Sequence, residues 1–218
     1  MEMLSKTIKK NTSFEDGNIV LKKPIIALDL EFAALEVNIF RQGKLRKTFK
    51  TFEIIEMGMV RFDASGESDS FETFVKPKFH RFKIDEKVKE LTGIQEKQLR
   101  RGILIEQAYR EFLKYYIPGK TLLLTWGNGD LPVLKHVCEK NKLPYVIREE
   151  DFIDISKEFH VYFGIEKPHQ YSLKKTLNFF NIEEDIKHRA TSDARAALEV
   201  FFQLMRDAEQ KQHVKKAE

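Results

Sequence analysis

Two acids close what reads as a buried strand. Ile25–Leu30 (IIALDL) is a nearly continuous apolar run after Pro24, the pattern of a central strand covered on both faces. Asp29 sits near its end and Glu31 follows it. Strand residues two apart share a face, so the two carboxylates project together. A buried carboxylate is costly unless it is paired or binds a metal. Two side by side also raise each other's pKa. Such a strand either stops at Leu28 and leaves both acids solvated, or it holds a cation. Hard oxygen ligands of this kind suit Mg²⁺ or Mn²⁺.

The rest of the chain supplies a frame for that strand. Ile54–Phe62 and Ser70–Val75 are two further strand candidates, joined through the turn Asp63–Gly66. With the first strand they form an expected antiparallel meander. Helical patterns follow at Asp85–Leu91, Leu104–Tyr116, Asp130–Lys142, Ile153–Tyr162, Ser172–Phe180 and Thr191–Ala208. Thr121–Trp126 returns to an apolar strand, and Tyr145–Ile147 is a candidate for the last one. The order implies an α/β fold with a mixed sheet and helices on both faces. Residues 1–22 read as a loosely ordered leader, 23–208 as one domain, and 209–218 as a polar tail or fraying helix end. Leu35–Phe52 is polar and basic, with Arg41, Lys44, Arg46, Lys47 and Lys50. It reads as a loop or helical insertion within reach of a substrate.

Composition narrows the class without naming a function. The chain has 218 residues, a formal net charge of +4 and one cysteine, Cys138. An intramolecular disulfide and a cysteine zinc site are therefore excluded, and Cys138 reads as a buried structural thiol. The mild basicity is compatible with a nucleic-acid partner. No apolar stretch approaches the length of a membrane span. Met1–Gly17 lacks the pattern of a secretory signal, so a cytoplasmic location is expected.

More chemistry arrives at the same edge of the sheet. Asp130 follows the strand Thr121–Trp126 through the turn Gly127-Asn128-Gly129. It could be a plain helix N-cap, but it also falls at the strand's carboxyl end, where open α/β sheets bind ligands. Asp193 lies in the first turn of the last long helix. Ala194, Ala197, Leu198, Phe201 and Met205 give that helix an apolar face, and Asp193 falls on it. His188, five residues upstream, is placed to accept a proton from a water nucleophile at neutral pH. Taken alone it would read as a surface histidine.

The segments DLE (Asp29–Glu31), WGNGD (Trp126–Asp130) and HRATSD (His188–Asp193) together resemble the three motifs of the DEDDh branch of DnaQ-like exonucleases. The likeness spans about residues 24–206, and the Trp-Gly-x-x-Asp form with FEIIEMGMV is closest to the KapD and Eri-like subgroup. The resemblance implies an RNase H-like fold with a mixed five-stranded sheet, a three-strand meander plus parallel strands, flanked by helices. It implies a 3′–5′ exonuclease that releases nucleoside 5′-monophosphates. Asp29, Glu31, Asp130 and Asp193 would hold two Mg²⁺ or Mn²⁺ ions, Asp29 would bridge them, and His188 would act as general base. The partner would be the 3′ end of single-stranded or overhanging RNA or DNA, with RNA favoured. By the same resemblance Leu30, Phe32, Ala33, Leu91, Thr92 and Trp126 would surround the terminal nucleotide. Leu91–Ile94 (LTGI) matches a recurrent segment of the family, but it also reads as a helix C-cap at Gly93. Many members carry Thr after the first motif, where this chain has Phe32-Ala33. Lys76, Lys78, Arg81 and Lys83 are candidate phosphate contacts, and Phe79 and Phe82 are candidate stacking residues. Two rival readings remain: a phosphodiesterase of dinucleotides or short oligonucleotides, and a non-catalytic nucleic-acid-binding protein on the same fold.

Overall fold

The apolar runs do pair into one five-stranded sheet. The structure, a computed structural model, describes residues 4–41, 44–78, 84–166, 171–183 and 189–217. In chain order the elements are α1 (Lys6–Asn11), β1 (Thr12–Glu15), β2 (Asn18–Leu21), β3 (Ile25–Arg41), β4 (Lys44–Asp63), β5 (Gly66–Phe74), α2 (Glu86–Thr92), α3 (Glu96–Arg101), α4 (Ile105–Tyr115), β6 (Leu122–Thr125), α5 (Asp130–Asn141), β7 (Phe152–Asp154), α6 (Ile155–Tyr162), α7 (Leu173–Phe179) and α8 (Ala190–Ala217). The main sheet has the order β5-β4-β3-β6-β7. Its β3–β4 and β4–β5 pairs are antiparallel, while β3–β6 and β6–β7 are parallel. This is the expected meander plus parallel strands.

The alternation of β3 decides which way the acids face. Ile25 and Ala27 pack in one cluster with Ala194, Leu198, Phe201 and Met205 of α8. Ile26, Leu28 and Leu30 pack in the other with Phe112, Tyr116, Leu134 and Val137. Odd positions of β3 therefore look toward α8 and even positions toward α4 and α5. By period two, Asp29 and Glu31 fall on the α8 side. Cys138 is buried in the second cluster.

Several elements differ from expectation. The leader is ordered from residue 4 onward: Leu4 and Ile8 join the α8 cluster, and β1 pairs with β2 as a separate hairpin. Leu35–Phe52 is neither loop nor helix, because β3 and β4 continue through it as a paired ribbon. Tyr145–Ile147 is not a strand. It runs beside the second cluster, half-buried, while the free edge of β6 is taken by Phe152–Asp154. The last helix runs on to Ala217.

One buried acid locks the far end of this frame. Asp151 is fully buried. It accepts hydrogen bonds from Lys23 Nζ (3.2 Å), the Tyr116 hydroxyl (3.1 Å) and the Gly119 amide (2.7 Å). It thus ties the start of β3 to the α4–β6 connection. Asp151→Ala leaves those donors unmet in a buried place and should cost about 3 kcal/mol. Urea unfolding checks this as a lower midpoint with an unchanged slope.

Candidate active site

Four acids converge where the carboxyl end of β6 meets the inner part of β3. One carboxylate oxygen from each of Asp29, Glu31 and Asp193 lies within 4.8 Å of the others. Asp130, the first residue of α5 and 7% exposed, stands beside this trio. Its charge is the largest of those that act on Asp29, ahead of Glu31 and Asp193. His188 lies outside the described residues, as do Phe79, Arg81, Phe82 and Lys83.

The cluster is electrostatically unfavourable by itself. Burial, and then the charges of Asp130, Glu31 and Asp193, push the Asp29 carboxyl well above its ordinary range. Burial, followed by Asp193, Glu56 and Asp130, raises Glu31 from 4.5 to about 8. Asp130 is pushed up to about 7 by burial, although a hydrogen bond from the Leu30 amide offsets part of this. Like charges held in a dry site raise each other's pKa, and a divalent cation is the economical remedy. The donor set, carboxylate oxygens alone, fits a hard cation such as Mg²⁺ or Mn²⁺.

Local sequence explains how α8 delivers Asp193. Gly58 lies opposite Asp29 in the β3–β4 register, and directly opposed residues share a face. A Cβ on Gly58 would lie 2.1 Å from the Thr191 amide nitrogen and 2.2 Å from the Ala190 carbonyl carbon. Glycine thus lets the first turn of α8 rest on the sheet backbone. Glu56, fully buried two residues earlier, anchors the same turn. It accepts from Arg189 Nε at 2.8 Å and from the Ala190 amide at 3.3 Å. Arg189 also pairs with Glu72 and lies over the Phe74 ring. Arg195 makes a two-pronged contact with Glu67 of β5, at 2.9 and 2.6 Å. Sequence reasoning missed Glu56, Gly58 and Arg189. The signals were an acid and a glycine inside the apolar run IIEMGMV.

The residues expected around a terminal nucleotide are distributed unevenly. Leu30 and Ala33 are buried, so only their backbones can meet a ligand. Phe32 packs edge-on against Phe52, ring centroids 5.9 Å apart, and is half-buried. Leu91 is 57% exposed at the end of α2. Thr92 is buried: its hydroxyl donates to the Val88 carbonyl and accepts from the Ile94 amide. Gly93 is the left-handed cap of α2. Trp126 is half-buried against the α8 cluster. Lys78 is not a free phosphate contact, because its ammonium is bound to Glu106 and Asn141, at 2.5 and 2.7 Å.

A mixed five-stranded sheet of this order, flanked by helices and carrying an acid cluster on its central strand, has the RNase H-like layout. The chain belongs to the exonuclease family described by the RNase T model, which matches residues 26–201. It is 28% identical to the probable 3′–5′ exonuclease KapD of Bacillus subtilis, over 75% of this chain and 77% of that protein. It is 31% identical to a PolC-type DNA polymerase III of Caldanaerobacter subterraneus, over 70% of this chain but only 10% of that polymerase. It is 26% identical to the DNA polymerase III epsilon subunit of Aquifex aeolicus, over 95% of this chain and 90% of that subunit. Among solved structures, the nuclease domain of 3′hExo, a DEDDh family member bound to rAMP, superposes with a TM-score of 0.69 at 22% identity. It covers 85% of this chain and 92% of that one. Escherichia coli exonuclease I in complex with a dT13 oligonucleotide gives 0.62 at 16% identity, over 89% of this chain and 43% of that one. Among the described residues no helix is long and apolar enough to cross a membrane.

Two consequences can be measured. Gly58→Ala forces α8 off the sheet and should cost about 2 kcal/mol or more. It should also abolish stabilisation by Mn²⁺ in a thermal melt, because Asp193 is displaced. The second concerns pH. The folded pKa of Glu31 is raised from 4.5 to about 8, so its protonation favours the native state. That contribution is complete below pH 4.5 and is lost as pH rises to about 8. Without metal, the melting temperature of the native sequence should fall relative to Glu31→Gln across this window, and added Mn²⁺ should reverse the difference.

Proposed function

We propose that the chain is a 3′–5′ exonuclease that removes nucleoside 5′-monophosphates from single-stranded or overhanging nucleic acid, with RNA favoured over DNA. The convergence of Asp29, Glu31 and Asp193, with Asp130 beside them, carries this reading. In it, Asp29, Glu31, Asp130 and Asp193 hold two divalent cations, Mg²⁺ or Mn²⁺. Bound there, the cations would activate water and neutralise charge on the scissile phosphate. Resemblance to the KapD and Eri-like subgroup supports the preference for RNA.

The chain's own residues would position and time the reaction. His188 would take the proton of the attacking water. The exposed Leu91 offers an apolar edge to the terminal base, while Leu30 and Ala33, both buried, would meet it through their backbones. Asp193 rides on a helix whose first turn is fixed by Glu56 and Gly58, so its carboxylate needs little rearrangement at the moment of reaction.

The test uses end-labelled RNA and DNA of one sequence, with Mg²⁺ or Mn²⁺, and compares the native protein with Asp193→Ala. Metal-dependent shortening from the 3′ end is expected, with the variant at least ~100-fold slower. Asp193→Ala also removes one of the repelling charges, so its metal-free melting temperature should be equal or higher. Unchanged shortening by Asp193→Ala would refute the mechanism. Turnover confined to a dinucleotide, with none on a twenty-mer, would replace the polymer substrate with a small phosphodiester.

A further inference from the structure

The outer half of the β3–β4 hairpin runs on past the strands that flank its inner half. Strand β6 pairs with β3 only at Ile25–Ala27, and β5 pairs with β4 only from Glu56 onward. Among the described residues, the ribbon beyond these points has no third strand. Its base is braced against α5. The Thr51 hydroxyl and His136 Nε2 are 2.8 Å apart, and Phe52 lies edge-on to both Phe32 and His136.

Register sorts the ribbon into two faces. Leu35 opposes Thr51, Val37 opposes Phe49, Ile39 opposes Lys47 and Arg41 opposes Lys44. Both irregularities insert their extra residue in β4, at Ile55 and Arg46, so the alternation of β3 is unbroken. These pairs therefore occupy the pleat face that holds Asp29 and Glu31, apolar near the site and cationic at the tip. Ala34–Phe52, Glu36–Lys50 and Asn38–Thr48 fall on the other face. Residues 35–50 carry five cations and one acid, a net +4, which equals the formal net charge of the whole chain. The remainder of the protein is neutral.

We propose that this arm is a second nucleic-acid contact, holding phosphates of the substrate polymer away from its reactive end. The proposal rests on the exonuclease reading for the identity of the polymer. The charge selects a polyanion, and it argues against a second copy, which would bring +4 against +4. A two-stranded ribbon is also a shape that a nucleic-acid groove admits. Ten residues separate Glu31 from Arg41 along β3, roughly 34 Å at strand rise. That distance matches the rise of about ten stacked nucleotides.

The test replaces Arg41, Lys44 and Lys47 together with Thr, which keeps strand propensity. Binding of a labelled twenty-mer and a trimer is followed by fluorescence anisotropy in EDTA, across a KCl series. Neutralising three phosphates contributes about 2 to the logarithmic salt slope for a single strand. From ~50 to ~200 mM KCl, the native protein should therefore lose about twentyfold more affinity for the twenty-mer than the variant does. Trimer binding, and trimer turnover in Mn²⁺, should be the same for both proteins. Equal salt slopes for the twenty-mer would overturn the proposal. So would a substitution effect that tracks the loss of a dimer in sedimentation. Because binding is read without metal, an arm-dependent slope in a protein that cleaves nothing would uphold this contact and sink the exonuclease reading instead.

Discussion

The structure turns on a repulsion. Asp29, Glu31, Asp130 and Asp193 are held close in a partly dry crevice, where their charges oppose one another. Left to relax, such a cluster would separate or take up protons. It persists because the elements that bear it are fixed by contacts elsewhere. Asp29 and Glu31 extend a strand whose preceding residues are buried on both faces. Asp193 is held by a helix that rests on Gly58 and is pinned through Glu56–Arg189 and Arg195–Glu67. Asp130 follows a fully buried strand across the short connection 126–129. The fold thus stores electrostatic strain that a bound cation would release.

What the sequence revealed and what it hid divide along the range of the interactions. The central strand and the meander were legible because burial on both faces and period-two alternation are local patterns. The inward direction of Asp193 was legible from the apolar stripe of its own helix. The anchors of that helix were not, because Glu56 and Gly58 gain their meaning from the register of β4 against β3 and from where α8 lands. An acid within an apolar strand and a glycine opposite a suspected ligand are nevertheless readable warnings. Strand β7 escaped because its three residues carry too little pattern, and its neighbour Tyr145–Ile147 looks more strand-like. Unpaired with the sheet, that segment satisfies its apolar side chains by packing alone. The arm escaped for the opposite reason. Five cations among the sixteen residues 35–50 outweigh the short alternation of Leu35, Val37 and Ile39, so its polarity mimics a loop.

Charge placement links the site to the arm. A nucleic-acid substrate is a polyanion, and a crevice of four carboxylates repels it at long range. Cations held there would cancel that repulsion only within the site. Local lysines do not all help, since Lys78 is spent on Glu106 and Asn141. Attraction beyond the crevice must come from net positive charge elsewhere in the chain. The remainder of the chain sums to zero, while the ribbon holds the whole excess. A hairpin that extends directly from the strand bearing Asp29 and Glu31 places that excess in register with the acid cluster. Separating the two in this way would keep basic side chains from neutralising carboxylates that a metal would need. It also keeps the attractive charge where salt screening, rather than proton uptake by the cluster, sets its strength.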